Sequence, residues 1–166
     1  MSWRRRLVGL AMALLAAAAV FAAEAPPAKT VRLLAVGNSF SQNATTYLPS
    51  LAKAGGQTLI LHQCASGGGT MAQHVEKIDQ LAADPADPKA RYVSGKTLRD
   101  ELTSEKWDVV TIQQASPKSH DPTTYRPYAA RLRDYVKEHC PSATLWLHQT
   151  WAYRRDDPRW RPAKPV

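Results

Sequence analysis

Four short apolar runs constrain the fold more than anything else in the chain: VRLLAVG (31–37), QTLILHQCA (57–65), WDVVTIQQ (107–114) and ATLWLHQTW (143–151). Each has strand length and is bounded by turn-forming or polar residues, as expected of a buried strand. Between them, apolar residues recur at helical spacing. One set is Tyr47, Leu48, Leu51 and Ala54; the next is Met71, His74 or Val75, Ile78 and Leu81. Leu98 and Leu102 follow, then Tyr125, Tyr128, Leu132, Tyr135 and Val136. Strands alternating with helices predict an α/β protein with a parallel sheet and helices on both faces. Local signals agree. Asn43 is placed to cap the first helix, with Pro49 in its first turn and Gly55-Gly56 at its end. Asp121-Pro122 opens the last helix as a cap followed by proline. The segment DPADPKARYVSG (84–95), with two prolines, reads as an exposed connection or flap.

Right-handed crossovers bring the C-terminal ends of all parallel strands to one edge of the sheet. Four polar segments therefore converge: Ser39 after the first strand, Ser66 to Thr70 after the second, Gln113 to Ser116 after the third, and His148 to Trp151 after the fourth. Ligands of open α/β sheets bind at this edge. A serine there becomes a nucleophile only with a base, donors for the developing oxyanion, and an exposed hydroxyl. Gly37 gives Ser39 a tight strand exit. Its own N–H and that of Gly68, which has no side chain to obstruct approach, are the expected donors. A third donor is the amide of Gln113 or Gln114, with Gln114, at the strand tip, preferred. His74 reads as a half-buried helix histidine rather than a base. Trp146 and Trp151 are either core residues or the walls of a sugar pocket.

Outside this frame, Arg4, Arg5 and Arg6 precede an apolar run from Leu7 to about Ala23, with small residues before Ala23. This is the pattern of an export signal over 1–22, cleaved before a linker at 23–30. The product would be periplasmic or extracellular, touching a membrane only if the segment stays uncleaved. The chain holds 22 basic and 14 acidic residues, a net charge of +8. Three of those arginines lie in the signal, which has no acid, so +5 remains. No basic helix face with interleaved aromatics appears, which argues against a nucleic-acid partner. Cys64 and Cys140 can pair or remain buried thiols in an oxidising compartment. No Cys or Cys/His spacing points to a metal, and no motif calls for a cofactor.

VGNSFS resembles the first block of the SGNH (GDSL-like) hydrolases, where Gly-Asp-Ser follows the first strand and the serine is the nucleophile. Here Asn38 stands in place of the usual Asp. SGGGT (66–70) is similar to the second block, whose glycine donates to the oxyanion; that glycine is Gly68. WDVVTIQQASP lies where the third block normally carries Gly-x-Asn-Asp, so its amide role falls to Gln114. Together with a GGxxxxxH stretch ending at His74 and with TLWLHQTWAY, these blocks look like an uncharacterised exported bacterial branch of that superfamily. The resemblance spans 31–153. It implies a flavodoxin-like three-layer α/β/α sandwich and a serine esterase or deacetylase acting on carbohydrate or other small esters.

The fourth block, Asp-x-x-His, has no counterpart after His148, and 154–166 is a charged, proline-containing tail. The sequence therefore reads as a C-terminally truncated domain without its last strand, last helix and general base, and hydrolysis is expected to be impaired. Two other readings stay open. One is a non-catalytic carbohydrate-binding module using Trp146, Trp151 and the serine-rich loop. The other is a flavodoxin-like phosphate or nucleotide binder using Ser39, Ser41, Thr45 and Thr46 at a helix N-terminus.

Overall fold

A computed structural model describes residues 27–151 together with Asp156 and Asp157. The predicted export signal at 1–22 and nearly all of the 154–166 tail lie outside the described residues.

The first strand, β1 (Thr30–Gly37), becomes steadily more buried along its length, from exposed Thr30 to a tip that is wholly interior. It is the hub of a four-stranded sheet ordered β2-β1-β3-β4, where β2 is Thr58–Ala65, β3 is Val109–Gln113 and β4 is Thr144–His148. All three pairings are parallel, as the strand–helix alternation predicts. In register, Leu34 lies beside Val110 and Val36 beside Ile112 on one face, while Ala35 lies beside Thr111 on the other. Val110 aligns in turn with Leu145, and Gln113 with His148.

The two faces are covered differently. Three helices, α3 (Met71–Ala83), α4 (Leu98–Ser104) and α5 (Tyr128–His139), cover the face of Leu34 and Val36. Met71, Val75, Leu98, Leu102, Leu132 and Val136 close the hydrophobic core there with Val110, Ile112 and Trp107. Both cysteines are buried in this core as free thiols, which answers the question of pairing. The opposite face carries two short helices, α1 (Ser39–Thr45) and α2 (Leu48–Ala54), which contact β1 and β2. The result is the α/β, flavodoxin-like sandwich with a parallel sheet. Among the described residues no helix is long and apolar enough to cross a membrane.

Several local expectations change. Asn38, not Asn43, caps the first helix, because its side chain accepts from the Phe40 N–H. That helix is also two helices, with Pro49 in the first turn of the second. Tyr47 and Leu51 stay exposed; Leu48 and Ala52 are the half-buried positions of α2. Asp121-Pro122 opens only a single 3₁₀ turn, Pro122–Tyr125, and the long helix begins at Tyr128 after Pro127. The 84–95 segment is not a free flap. A 3₁₀ turn at Pro88–Ala90 and an antiparallel bridge between Arg91 and Thr97 shape it, and Tyr92 is buried at its centre.

Gly37 is required by close approach rather than by its backbone angles. A Cβ there would overlap Ser41 Oγ and come within 2.7 Å of Gln113 Oε1. Both neighbours are themselves buried, so neither can retreat into solvent. Gly37→Ala is expected to lower stability by about 1–3 kcal/mol, the usual range for overpacking. Ser41→Ala in the same chain should recover part of that loss in urea unfolding.

Candidate active site

The convergence expected at the sheet edge is present, and hydrogen bonds fix it. Asn38, only 2% exposed, anchors the turn after β1. Its Nδ2 donates to Gly69 O at 3.0 Å, tying this turn to the glycine loop after β2. Its Oδ1 accepts from Phe40 N–H and from Gln113 Nε2, each at 2.9 Å. The backbone adds a second tie, Ser66 N–H to Gly37 O at 3.0 Å. The loop closes on itself through Gly69 N–H to Ser66 O at 2.9 Å, with Gly68 in the left-handed region at φ 64°. Glycine adopts that conformation without the steric cost other residues incur.

Ser39 and Gly68 line one cavity of about 400 Å³ with Asn38, Phe40, Thr70, Ala115, Ser116, Pro117 and Lys118. Ser39 is exposed at the first turn of α1. Among the described residues, neither its N–H nor that of Gly68 has a hydrogen-bond partner. Two of the three expected site residues are thus brought together.

Gln114 is not. Its Oε1 accepts from Met71 N–H at 3.2 Å and Ala115 N–H at 2.9 Å, and its Nε2 donates to Thr124 O at 2.8 Å. The carboxamide braces the start of α3 against the 122–125 turn, so its N–H bonds are spent away from the cavity. Gln113 is also committed, to Asn38 and to Gln114 O.

His74 is more buried than expected, at 1% exposure, and does not reach the cavity. Its Nε2 donates to Gly37 O at 3.1 Å and its Nδ1 lies 2.8 Å from the Tyr92 hydroxyl. Burial pushes its pKa down from the usual 6.5 to about 4, against a smaller opposing contribution from the Gly37 bond. It is a neutral structural imidazole.

Sequence reading missed the partnership of Ser41 with His148. Ser41 Oγ donates to Gln113 Oε1 at 2.5 Å and sits 3.3 Å from His148 Nδ1. Both residues were in view, but only the β3–β4 register, which sets Gln113 beside His148, joins them. Partial burial lowers the His148 pKa. Three members of the Ser/Thr cluster proposed for phosphate are bonded within the chain: Ser41 to Gln113, Thr45 Oγ1 to Ser41 O at 2.8 Å and Thr46 Oγ1 to Gln42 O at 2.8 Å, while Ser39 lines the cavity. Trp146 and Trp151 are both more than half exposed, and the Trp151 ring packs on Phe40 with centroids 4.4 Å apart.

Fold and edge together define an α/β-sandwich protein with a serine-bearing cleft between its first two strand-to-helix turns. The chain belongs to the DUF4886 family, a domain of unknown function, whose family model matches residues 32–160. It is similar to a DUF4886 family protein from Bacteroides uniformis ATCC 8492, known from a crystal structure at 1.50 Å resolution. The two are 34% identical with a TM-score of 0.66, over 75% of this chain and 51% of the other. The chain therefore spans about half the length of that relative. No curated protein matches it.

Two outcomes follow from this geometry. Asn38→Asp would put a carboxylate oxygen against the Gly69 carbonyl with no proton between them. Leaving such a buried group unsatisfied costs roughly 1–3 kcal/mol, more when charged. Urea unfolding at pH 7 should show that loss, and it should shrink at low pH as the carboxyl protonates and can donate. For His74 the folded pKa lies below the unfolded one, so between pH 6.5 and 4 the unfolded chain takes up a proton that the folded chain refuses. Stability should fall as pH drops through that window, by up to about 3 kcal/mol for this group. The measure is the difference between the wild type and His74→Gln in urea midpoints taken across the window.

Proposed function

We propose that the cleft is a serine-dependent acyl-transfer site of the SGNH hydrolase type, directed at carbohydrate or other small esters. One observation carries the reading: the exposed Ser39 and Gly68, whose N–H groups have no partner among the described residues, line one cavity, on turns locked together by Asn38 and Gly37. In this reading Ser39 Oγ attacks the acyl carbon and loses its proton to solvent water, while the N–H groups of Ser39 and Gly68 receive the charge that develops on the carbonyl oxygen. The adduct then collapses by breaking the ester C–O bond, the alcohol leaves with a proton from water, and water hydrolyses the acyl-serine. Donors aimed at a developing oxyanion are often the largest single contribution to such a reaction. Gln114 has no part in this step, because its amide is bonded to Thr124.

Among the described residues the cavity lining includes no histidine and no carboxylate, and Lys118 is its charged member. His148 is bonded to Ser41 rather than to Ser39. From those lining residues attack by Ser39 has no histidine or carboxylate to assist it, and slow turnover is expected. Oxyanion donors and binding alone still leave roughly 10³–10⁴-fold over water in triad-deleted hydrolases.

A second reading is favoured by the Phe40–Trp151 pair beside the cavity. An exposed aromatic surface next to hydroxyl and amide groups suits a sugar ring, and the domain would then hold a glycan ester without cleaving it. Export, inferred from residues 1–22, would place either activity outside the cytoplasm.

The two readings separate in one assay. The full chain should release p-nitrophenol from p-nitrophenyl acetate faster than its Ser39→Ala variant does, by at least about tenfold if the oxyanion site operates. Equal rates overturn the acyl-transfer reading and leave glycan binding as the function to measure.

A further inference from the structure

The Gly37 carbonyl accepts two hydrogen bonds, from Ser66 N–H at 3.0 Å and from His74 Nε2 at 3.1 Å. A carbonyl can only accept, so His74 must carry its proton on Nε2. Its Nδ1 is then an acceptor, and the partner 2.8 Å away, the Tyr92 hydroxyl, must donate. Burial pushes the Tyr92 pKa up, so that hydroxyl keeps its proton. The two rings also stack, with centroids 5.7 Å apart.

Tyr92 belongs to the 84–97 segment, which is held from several sides. Its own N–H donates to Lys96 O at 2.9 Å, and the Arg91–Thr97 bridge closes the segment behind it. Lys77, on α3, donates from Nζ to Lys89 O at 2.6 Å and Arg91 O at 2.9 Å, and lies 5.3 Å from the Tyr92 ring centroid. None of these residues lines the cavity. Yet the carbonyl they reach through His74 is two residues before Ser39, and the other donor to that carbonyl is two residues before Gly68.

We propose that His74 is a positioning residue, held in its Nε2–H tautomer by Tyr92, and that it sets the spacing between the turns carrying the Ser39 and Gly68 N–H groups. The role in chemistry rests on the acyl-transfer reading; the tautomer assignment does not. The physical logic is that of a shared acceptor. With His74 donating, the Gly37 peptide is drawn toward α3 while Ser66 approaches from β2, and the carbonyl cannot rotate without breaking both bonds. Losing the Tyr92 donor removes one of the two contacts that hold the imidazole proton on Nε2 and leaves the Gly37 carbonyl as the other. In the Nδ1–H tautomer a lone pair would face the Gly37 carbonyl, and the repulsion would move the turn.

The test uses the full chain with ¹⁵N-labelled histidine and a long-range ¹H–¹⁵N correlation at pH 7. His74 should appear as a neutral Nε2–H ring. Tyr92→Phe, which removes one oxygen, should give a mixture of tautomers and slow p-nitrophenyl acetate turnover roughly tenfold, the scale of effect expected from sub-ångström misplacement of reacting groups. His74→Gln can still donate to Gly37 O and accept from Tyr92, and should keep most of the rate; His74→Leu, of similar bulk and without a donor, should lose it. An Nδ1–H or charged His74 in the wild type overturns the proposal. So do equal rates in His74→Gln and His74→Leu. If Ser39→Ala shows that the wild type has no serine-dependent turnover, the acyl-transfer reading fails, while the Tyr92→Phe tautomer spectrum still decides whether Tyr92 orders the imidazole.

Discussion

Everything at the sheet edge depends on how crowded Gly37 is. Its carbonyl accepts donors from β2 and α3, and the face where a side chain would stand is filled by Ser41 and Gln113. The strand tip is thus held from three directions before the chain turns into α1. That is why a seven-residue helix with no buried apolar residue can present Ser39 in a defined place. Its fixed points are polar ones: Ser41 on Gln113, and Asn38 on Phe40, Gln113 and Gly69. Interior polar groups are costly unless paired. Among the described residues, no buried side-chain nitrogen or oxygen lacks a partner.

The sandwich is asymmetric in what holds it together. On the side of α3, α4 and α5 the cement is apolar packing around Leu34, Val110, Leu132 and Trp107. On the α1 side it is largely hydrogen bonding, and the sheet there leaves Trp146 open to solvent. A buried carboxylate does occur on the apolar side: Glu101, 4% exposed, meets His62 at 2.8 Å and Lys96 at 3.6 Å. It tethers α4 to β2 at mid-strand, well away from the strand tips that build the cleft.

The four strands and their parallel pairing were legible because period and punctuation carry them: four apolar runs, helical spacing between them, and glycine after the first two. Ser39 and Gly68 were legible for the same reason, since both sit at strand ends where topology alone places them. Gln114 lies at the strand tip, but its amide is bonded to Thr124, a partner that the sequence pattern does not reveal. The Asn38 cap is a local bond to the Phe40 N–H, and the sequence reading places the cap at Asn43 instead. His148 could not be tied to Ser41 without the β3–β4 register, and Tyr92 could not be seen as an anchor in a segment that reads as polar loop. Apart from the cap, the missing knowledge was a pairing between residues apart in sequence, which local patterns do not encode.

The proton order of the Asn38 network has one more consequence. Phe40 N–H and Gly69 O settle which end of the Asn38 amide faces which neighbour, and Asn38 Oδ1 then settles the orientation of Gln113. Gln113 Oε1 takes the Ser41 hydroxyl proton, so the bond between Ser41 and His148 must be donated by the imidazole. Every role in the row from His148 to Phe40 is assigned, and two of its members are carboxamides, which do not exchange a proton along a chain as water or hydroxyl groups can. The row is therefore an insulator. However near His148 stands to the Ser39 turn, it can hold that turn in place through these bonds but cannot draw a proton through them.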